Sequence, residues 1–199
     1  MELRHEAARK SIHLALLVLP VLAWIFAATE PRLVGLVLGG LALATFAFDF
    51  ARRRSGPVRD WTNDSVGSLL RPHESRRLLG STLYFAALAL SFLLFPRTIA
   101  LAAMGFLVIG DAAAALVGRA FGRRPLRPGK TVEGSLACLI GCLVVTLVVP
   151  SLDPAVETTG LLLGAAAATL GELASSGEHD NLVMPLLSGA VMLLAARSC

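Results

Sequence analysis

The sequence predicts an all-α integral membrane protein. It is read as a single domain over residues 1–199, a bundle of about seven transmembrane helices with its N-terminus in the cytoplasm. Three observations lead there. Hydrophobic residues make up 55% of the chain and charged residues 16%, against about 45–50% and about 25% in soluble domains. Mean hydropathy is +0.71. The apolar residues fall in runs of bilayer length, and the basic residues fall almost entirely in alternate connections between those runs.

Seven apolar runs predict helices at about 12–29, 32–51, 79–95, 98–117, 134–150, 157–175 and 182–197. The third and seventh are short. Pro20 is expected to kink the first, and Pro185 to sit in the first turn of the seventh, where proline is tolerated. The first run follows a basic start, as a signal peptide would. Glu2 and Glu6 lie in that leader, and Lys10, Ser11 and His13 lead straight into the run, so it is read as a membrane helix.

Orientation comes from charge. With a cytoplasmic N-terminus, fifteen of the eighteen Lys and Arg residues are cytoplasmic. They are Arg4, Arg9, Lys10, Arg52, Arg53, Arg54, Arg59, Arg71, Arg76, Arg77, Arg119, Arg123, Arg124, Arg127 and Lys130. Only Arg32, Arg97 and Arg197 fall outside. The net charge of +4 and the pI near 9.5 are thereby explained by topology, and nucleic acid is excluded as a partner. The polar loops are about 52–78 and 118–133. In the first, Trp61, Val66, Leu69 and Leu70 are expected to rest on the membrane interface. Asp49 reads as structural, close to Arg52 and Arg53. Cys138 and Cys142, four apart in an apolar run, read as small packing residues, and no disulfide framework is implied.

The residues that carry chemistry lie at 110–135, G-D-A-A-A-A-L-V-G-R-A-F-G-R-R-P-L-R-P-G-K-T-V-E-G-S. Asp111 is a charged group near the middle of an apolar helix, where it must be compensated. An arginine of another helix is one candidate partner and a bound cation is the other. Arg119 follows two turns later on nearly the same face. Gly118, Gly122, Gly129 and Gly134 allow close backbone approach. Five cations, Arg119, Arg123, Arg124, Arg127 and Lys130, surround the segment, and the backbone N–H groups from Thr131 to Ser135 open the next helix. A triphosphate with a divalent cation suits this mixture. G-K-T at 129–131 is not a P-loop, because Arg124 stands where the earlier glycine belongs and no β-strand is expected before it. As an exposed loop residue, Lys130 is expected to matter little for stability.

These two stretches together resemble the core motif of the CTP-dependent polyprenol kinase family. That family includes dolichol kinase, phytol kinase and the CTP-dependent diacylglycerol kinase, and is related to phosphatidate cytidylyltransferase. E-A-A-R-K-S-I-H near the start resembles the family's opening, with His13. H-E-S-R-R-L-L-G-S-T-L-Y-F at 73–85 resembles its third-helix start, with Glu74 and Arg77. E-L-A-S-S-G-E-H-D-N-L-V-M-P-L at 172–186 resembles its closing motif, with Glu172, Asp180 and Asn181. The chain departs from the pattern at His179, where relatives often carry a second acid.

The resemblance implies transfer of the γ-phosphoryl of CTP to a membrane lipid alcohol: a polyprenol or dolichol, a phytol-like prenol or a diacylglycerol. It implies a multi-pass protein of a bacterial-type inner membrane with a cytoplasmic active site. Asp111, Lys130 and Glu133 are the implied catalytic residues. Gly110, Arg119, Gly122, Arg123, Gly129, Lys130, Thr131, Gly134 and Ser135 are implied to bind nucleotide. Asp111, Glu133, Glu172 and Asp180 are implied to hold Mg²⁺, with His13, Glu74, Arg77 and Asn181 in support. Local readings compete at the periphery. His13 reads equally as a core histidine, Glu74 with Arg77 as a helix-surface pair, and Asp180-Asn181 as a helix N-cap. CDP-lipid synthesis from a lipid phosphate is the alternative activity. The absence of a K-D…H-G-G block near the C-terminus favours the kinase. A non-enzymatic scaffold or transporter is the lesser alternative, and the oligomeric state is open.

Overall fold

The computed structural model describes residues 11–12, 14–66, 78–175 and 179–198. The helices are α1 (Val18–Phe26), α2 (Pro31–Arg54), α3 (Gly56–Val66), α4 (Gly80–Leu94), α5 (Arg97–Gly105), α6 (Asp111–Phe121), α7 (Val132–Leu152), α8 (Thr158–Ala174) and α9 (Asp180–Ser198). A π-helical turn, Phe106–Gly110, joins α5 to α6 in one continuous rod. A short antiparallel hairpin, β1 (Pro125–Arg127) and β2 (Lys130–Thr131), links α6 to α7.

Among the described residues, four helical segments are long and apolar enough to cross a bilayer: Pro31–Arg54, Arg97–Phe121, Val132–Leu152 and Asp180–Arg197. α4 and α8 are apolar but shorter, at 15 and 17 residues, and α1 has nine. The reason is local at α4. Phe95, ahead of Pro96, is extended with ψ 151°, as a residue before proline prefers, so the helix stops there. Other details depart from the sequence reading. The polar 52–78 loop contains helix α3. The fold is not purely helical, because the hairpin places a three-residue strand ahead of G-K-T. α9 begins at Asp180, which puts Pro185 in its second turn, inside the helix.

The α5–π–α6 rod is the axis of the molecule. Ala100, Ala102, Ala103, Met104, Phe106, Leu107 and Val108 are all fully buried. Small side chains let neighbouring helices approach closely, as membrane bundles require. A Cβ on Gly105 would lie 2.9 Å from Val145, and one on Gly110 would lie 2.7 Å from the Cys142 sulfur. Cys138 and Cys142 are free and buried at that crossing, the packing role expected of them.

The two ends of the bundle differ in chemistry. At one end Arg97 stacks on Trp24, 5.0 Å from the ring centre, and Thr98 donates to Asp153 at 2.5 Å. At the other, Asp49 and Arg52 form a fully buried pair at 2.6 Å, and Asp49 Oδ2 also accepts the Leu79 N–H at 2.8 Å. Asp49 is structural, then, and its partner is Arg52; Arg53 is exposed. The start of α9 is tied to the same end by Asn181, which donates to the Gly80 carbonyl at 2.8 Å.

Candidate functional site

At that second end the α6–α7 hairpin folds back over the end of α8 and the start of α9. Gly129 makes the turn possible. Its φ is +78°, the only positive φ among the described residues, a conformation that other residues adopt only with strain. β2 then presents Lys130. Its ammonium lies 2.5 Å from Glu172 Oε1 on α8 and 2.9 Å from Asp180 Oδ2 on α9. Glu172 is 3% exposed and Asp180 6%. Burial alone would push the Lys130 pKa down. The charge of Asp180 and the hydrogen bonds and charge of Glu172 outweigh it, so the pKa is raised. Lys130 is therefore half-buried and doubly paired, which corrects its reading as a freely exposed loop residue.

Asp180 is held from the far side as well, since Ser175 Oγ donates to its Oδ1 at 2.5 Å. Asp111 opens α6 just after the π turn, is 7% exposed, and stands close enough to Glu172 for the two charges to interact. Glu172 and Asp180 are thus joined through Lys130, and Asp111, distant in sequence from both, comes near Glu172.

Glu133 is engaged elsewhere. Its Oε2 accepts the backbone N–H groups of Arg123 at 3.1 Å and Arg124 at 3.3 Å, bracing the hairpin. The N–H groups expected to open an anion site at the start of α7 are partly engaged too. Val132 N–H donates to the Arg124 carbonyl, and Gly134 N–H to the Thr131 hydroxyl that caps the helix. Three of the four glycines expected to admit phosphates, Gly118, Gly122 and Gly134, lie against other parts of the protein, while the Cβ position of Gly129 is open. A Cβ on Gly134 would lie 3.0 Å from the Ala114 carbonyl, and one on Gly122 would lie 2.7 Å from Thr131 Cγ2. Gly110 faces the cysteines of the core. Arg119, Arg123 and Arg124 are exposed. Ser135 Oγ is buried without a hydrogen-bond partner among the described residues.

Asp180 and Asn181 are not the N-cap. His179 occupies that place, its carbonyl accepting from Leu182 and Val183, and its side chain is exposed. His13, Glu74 and Arg77 lie outside the described residues, as do Leu69 and Leu70.

Two residues of the site were not singled out from sequence as they stand here. Ser175 follows Glu172 by three positions, one turn along the same face, and that spacing was its signal. Arg127 was read as a phosphate cation. Its guanidinium instead donates to the Leu173 and Ala174 carbonyls at 2.7 and 2.5 Å, where an arginine satisfies the open end of a helix.

Among the described residues, no group of three or more His, Cys, Asp or Glu side chains is arranged to hold a metal by itself. Mg²⁺ needs no such cage. It is commonly held by one or two carboxylates together with substrate phosphates, and Asp111 and Asp180 supply hard oxygen donors of that kind.

Comparison with known proteins adds the following. The model of the cytidylyltransferase family matches residues 5–177. An uncharacterised protein of Rickettsia prowazekii is 26% identical over 148 residues, 72% of this chain and 70% of that protein. No solved structure matches the chain.

Proposed function

The chain belongs to the cytidylyltransferase family, and from that premise we propose that it is a membrane lipid kinase that transfers the γ-phosphoryl of CTP to a lipid alcohol. The family includes CDP-lipid synthases and related lipid kinases. The observation that carries the reading is Lys130, held between Glu172 and Asp180 with Asp111 beside them. It is a cation and three acids at the mouth of an apolar bundle, the combination a metal–nucleotide at a membrane surface calls for. Phosphoryl transfer depends on positioning and charge neutralisation more than on covalent chemistry by the protein. In this reading Lys130, which directs two of its three N–H donors to Glu172 and Asp180, gives the third to the nucleotide phosphates, with Arg119 and Arg123 at the rim. Asp111 and Asp180 would hold Mg²⁺, which would supply neutralisation of phosphate charge. The acceptor oxygen attacks the γ-phosphorus, and the bridging P–O bond breaks to release CDP. Thr131, Gly129, Gly122 and Gly134 shape the loop that brings Lys130 into place. In this reading the basic end faces the cytoplasm, where nucleotide is available, and the shorter apolar helices α1, α4 and α8 lie in the membrane with the four long segments.

CDP-lipid synthesis is the second reading, favoured by the activity for which the family is named. Against it stands the missing K-D…H-G-G block. The experiment separates the two by which phosphorus moves. The purified chain in vesicles is given CTP labelled at the α or the γ position, with polyprenol, diacylglycerol or phosphatidate. Label from the γ position on an alcohol is expected. Label from the α position on phosphatidate, with none from γ on any alcohol, overturns the kinase reading.

A further inference from the structure

The two oxygens of Glu172 have different surroundings. Oε1 accepts the Lys130 ammonium. Oε2 is buried and has no hydrogen-bond partner among the described residues. A buried carboxylate oxygen without a donor is unusual in a folded protein and calls for an explanation. Ser135 Oγ is in the same condition, and it belongs to the neighbouring helix. Cys138, one turn on from Ser135, lies against Thr169 and feels the charge of Glu172. Since residues three apart share a helix face, the 135/138 edge of α7 looks onto the 169/172 edge of α8. The two unpartnered groups therefore belong to one seam. Beside it, Leu136 and Leu170 are 55% and 62% exposed on the outer surface of the same helices.

We infer that this seam receives the acceptor: Glu172 Oε2 and the Ser135 hydroxyl bind the lipid's alcohol group, and Glu172 takes its proton. This rests on the kinase reading and names the acceptor side of that site. A free carboxylate oxygen can only accept a hydrogen bond, so it calls for a donor, and an alcohol is one. An ionised lipid phosphate would instead offer Oε2 no donor and would set its own charge directly against the Glu172 carboxylate. The acceptor is accordingly a neutral hydroxyl on an apolar chain, with the chain lying along the outer leucines. In the reaction the hydroxyl proton passes to Oε2 as the oxygen bonds to the γ-phosphorus. The electron pair of the broken bridging bond leaves with CDP, and Glu172 then returns its proton to water. Lys130 on Oε1 fixes the carboxylate so that the second oxygen stays available. Glu172, one of the carboxylates expected to hold metal, is thus assigned to the lipid.

The test uses the full chain in vesicles containing polyprenol or diacylglycerol, with two variants. Glu172→Gln keeps the shape and the amide oxygen facing Lys130. It is expected to lose transfer by more than about a hundredfold, as loss of a general base does, while Mg²⁺–CTP still raises its melting temperature as in the wild type. Ser135→Ala is expected to fold and to raise KM for the alcohol several-fold with a smaller change in kcat. If Glu172→Gln loses protection by Mg²⁺–CTP along with transfer, Glu172 belongs to the nucleotide–metal side and the assignment is wrong. Transfer within about threefold of wild type in Glu172→Gln, too small a loss for a missing base, overturns it as well. A wild type that moves no γ-label to any alcohol overturns the kinase reading and this inference together.

Discussion

Lys130→Met keeps most of the apolar stem and removes the ammonium that Glu172 and Asp180 share. The side chains of the three residues are 14%, 4% and 8% exposed, so water can do little to replace what is lost. Taking one partner from a buried ion pair costs about 3–5 kcal/mol, because the remaining charge is stranded. Lys130 is the most exposed of the three, and either acid can take up a proton, so about 3 kcal/mol is the expected loss. In a chain of this size each kcal/mol moves the melting temperature by about 2–4 °C, and the variant should melt roughly 6–12 °C below wild type. Tryptophan fluorescence during heating in detergent measures this through Trp24 and Trp61. The double variant Lys130→Met with Asp180→Asn should recover part of the loss, since it removes one stranded charge. If Lys130→Met melts within about 2 °C of wild type, a shift below 1 kcal/mol, the paired geometry does not hold the hairpin and the reasoning fails.

Three further outcomes are expected. The pKa of Lys130 is raised on folding, so its contribution is complete below its ordinary value of about 10.4 and fades only as pH rises through the folded value; the melting gap between wild type and Lys130→Met should stay constant from about pH 6 to about 10 and narrow only above that, and a gap that closes near neutrality contradicts the sign. Gly110→Ala drives a methyl to within 2.7 Å of the Cys142 sulfur and should cost about 1–3 kcal/mol by overpacking; adding Cys142→Ala should restore part of it, and denaturant melts of the two variants measure the difference. Single cysteines at 124 and 153, in a chain otherwise free of cysteine, should react with a membrane-impermeant reagent from opposite sides, and labelling from the same side refutes the topology.

The helices were legible because their cause is written along the chain, as apolar runs ended by proline or by arginine clusters. α3 was not, because Gly56, Pro57, Thr62 and Asn63 are poor helix formers. It forms after Ser55 breaks α2, with Thr62 buried and donating to the Val58 carbonyl. The site was legible in its members and not in its connections. Lys130, Glu172, Asp180 and Asp111 stand out as charges beside or within apolar runs, whereas the joining of Lys130 to acids 42 and 50 positions away depends on a hairpin of two residue pairs. The glycines were the hardest to read. A glycine allows close approach without saying whether a phosphate or another helix approaches, and at Gly118, Gly122 and Gly134 another segment of the chain does so.

The π turn at Phe106–Gly110 has a consequence for how the rod tolerates change. An α-helix repeats every 3.6 residues, so each residue inserted or removed turns everything beyond it by about 100°. A π turn is a single-residue insertion absorbed inside a helix. In this rod, residues 97–105 and residues 111–121 therefore keep separate angular settings: the first is aimed by the Trp24–Thr98–Asp153 contacts at one end, the second by the glycine crossing with α7 at the other. Removing one residue from 106–110 would let the rod relax to a uniform α-helix of the same apolar character, still long enough to span. Its two ends could then no longer both be in phase, and either Asp111 would swing away from Glu172 or Thr98 from Asp153.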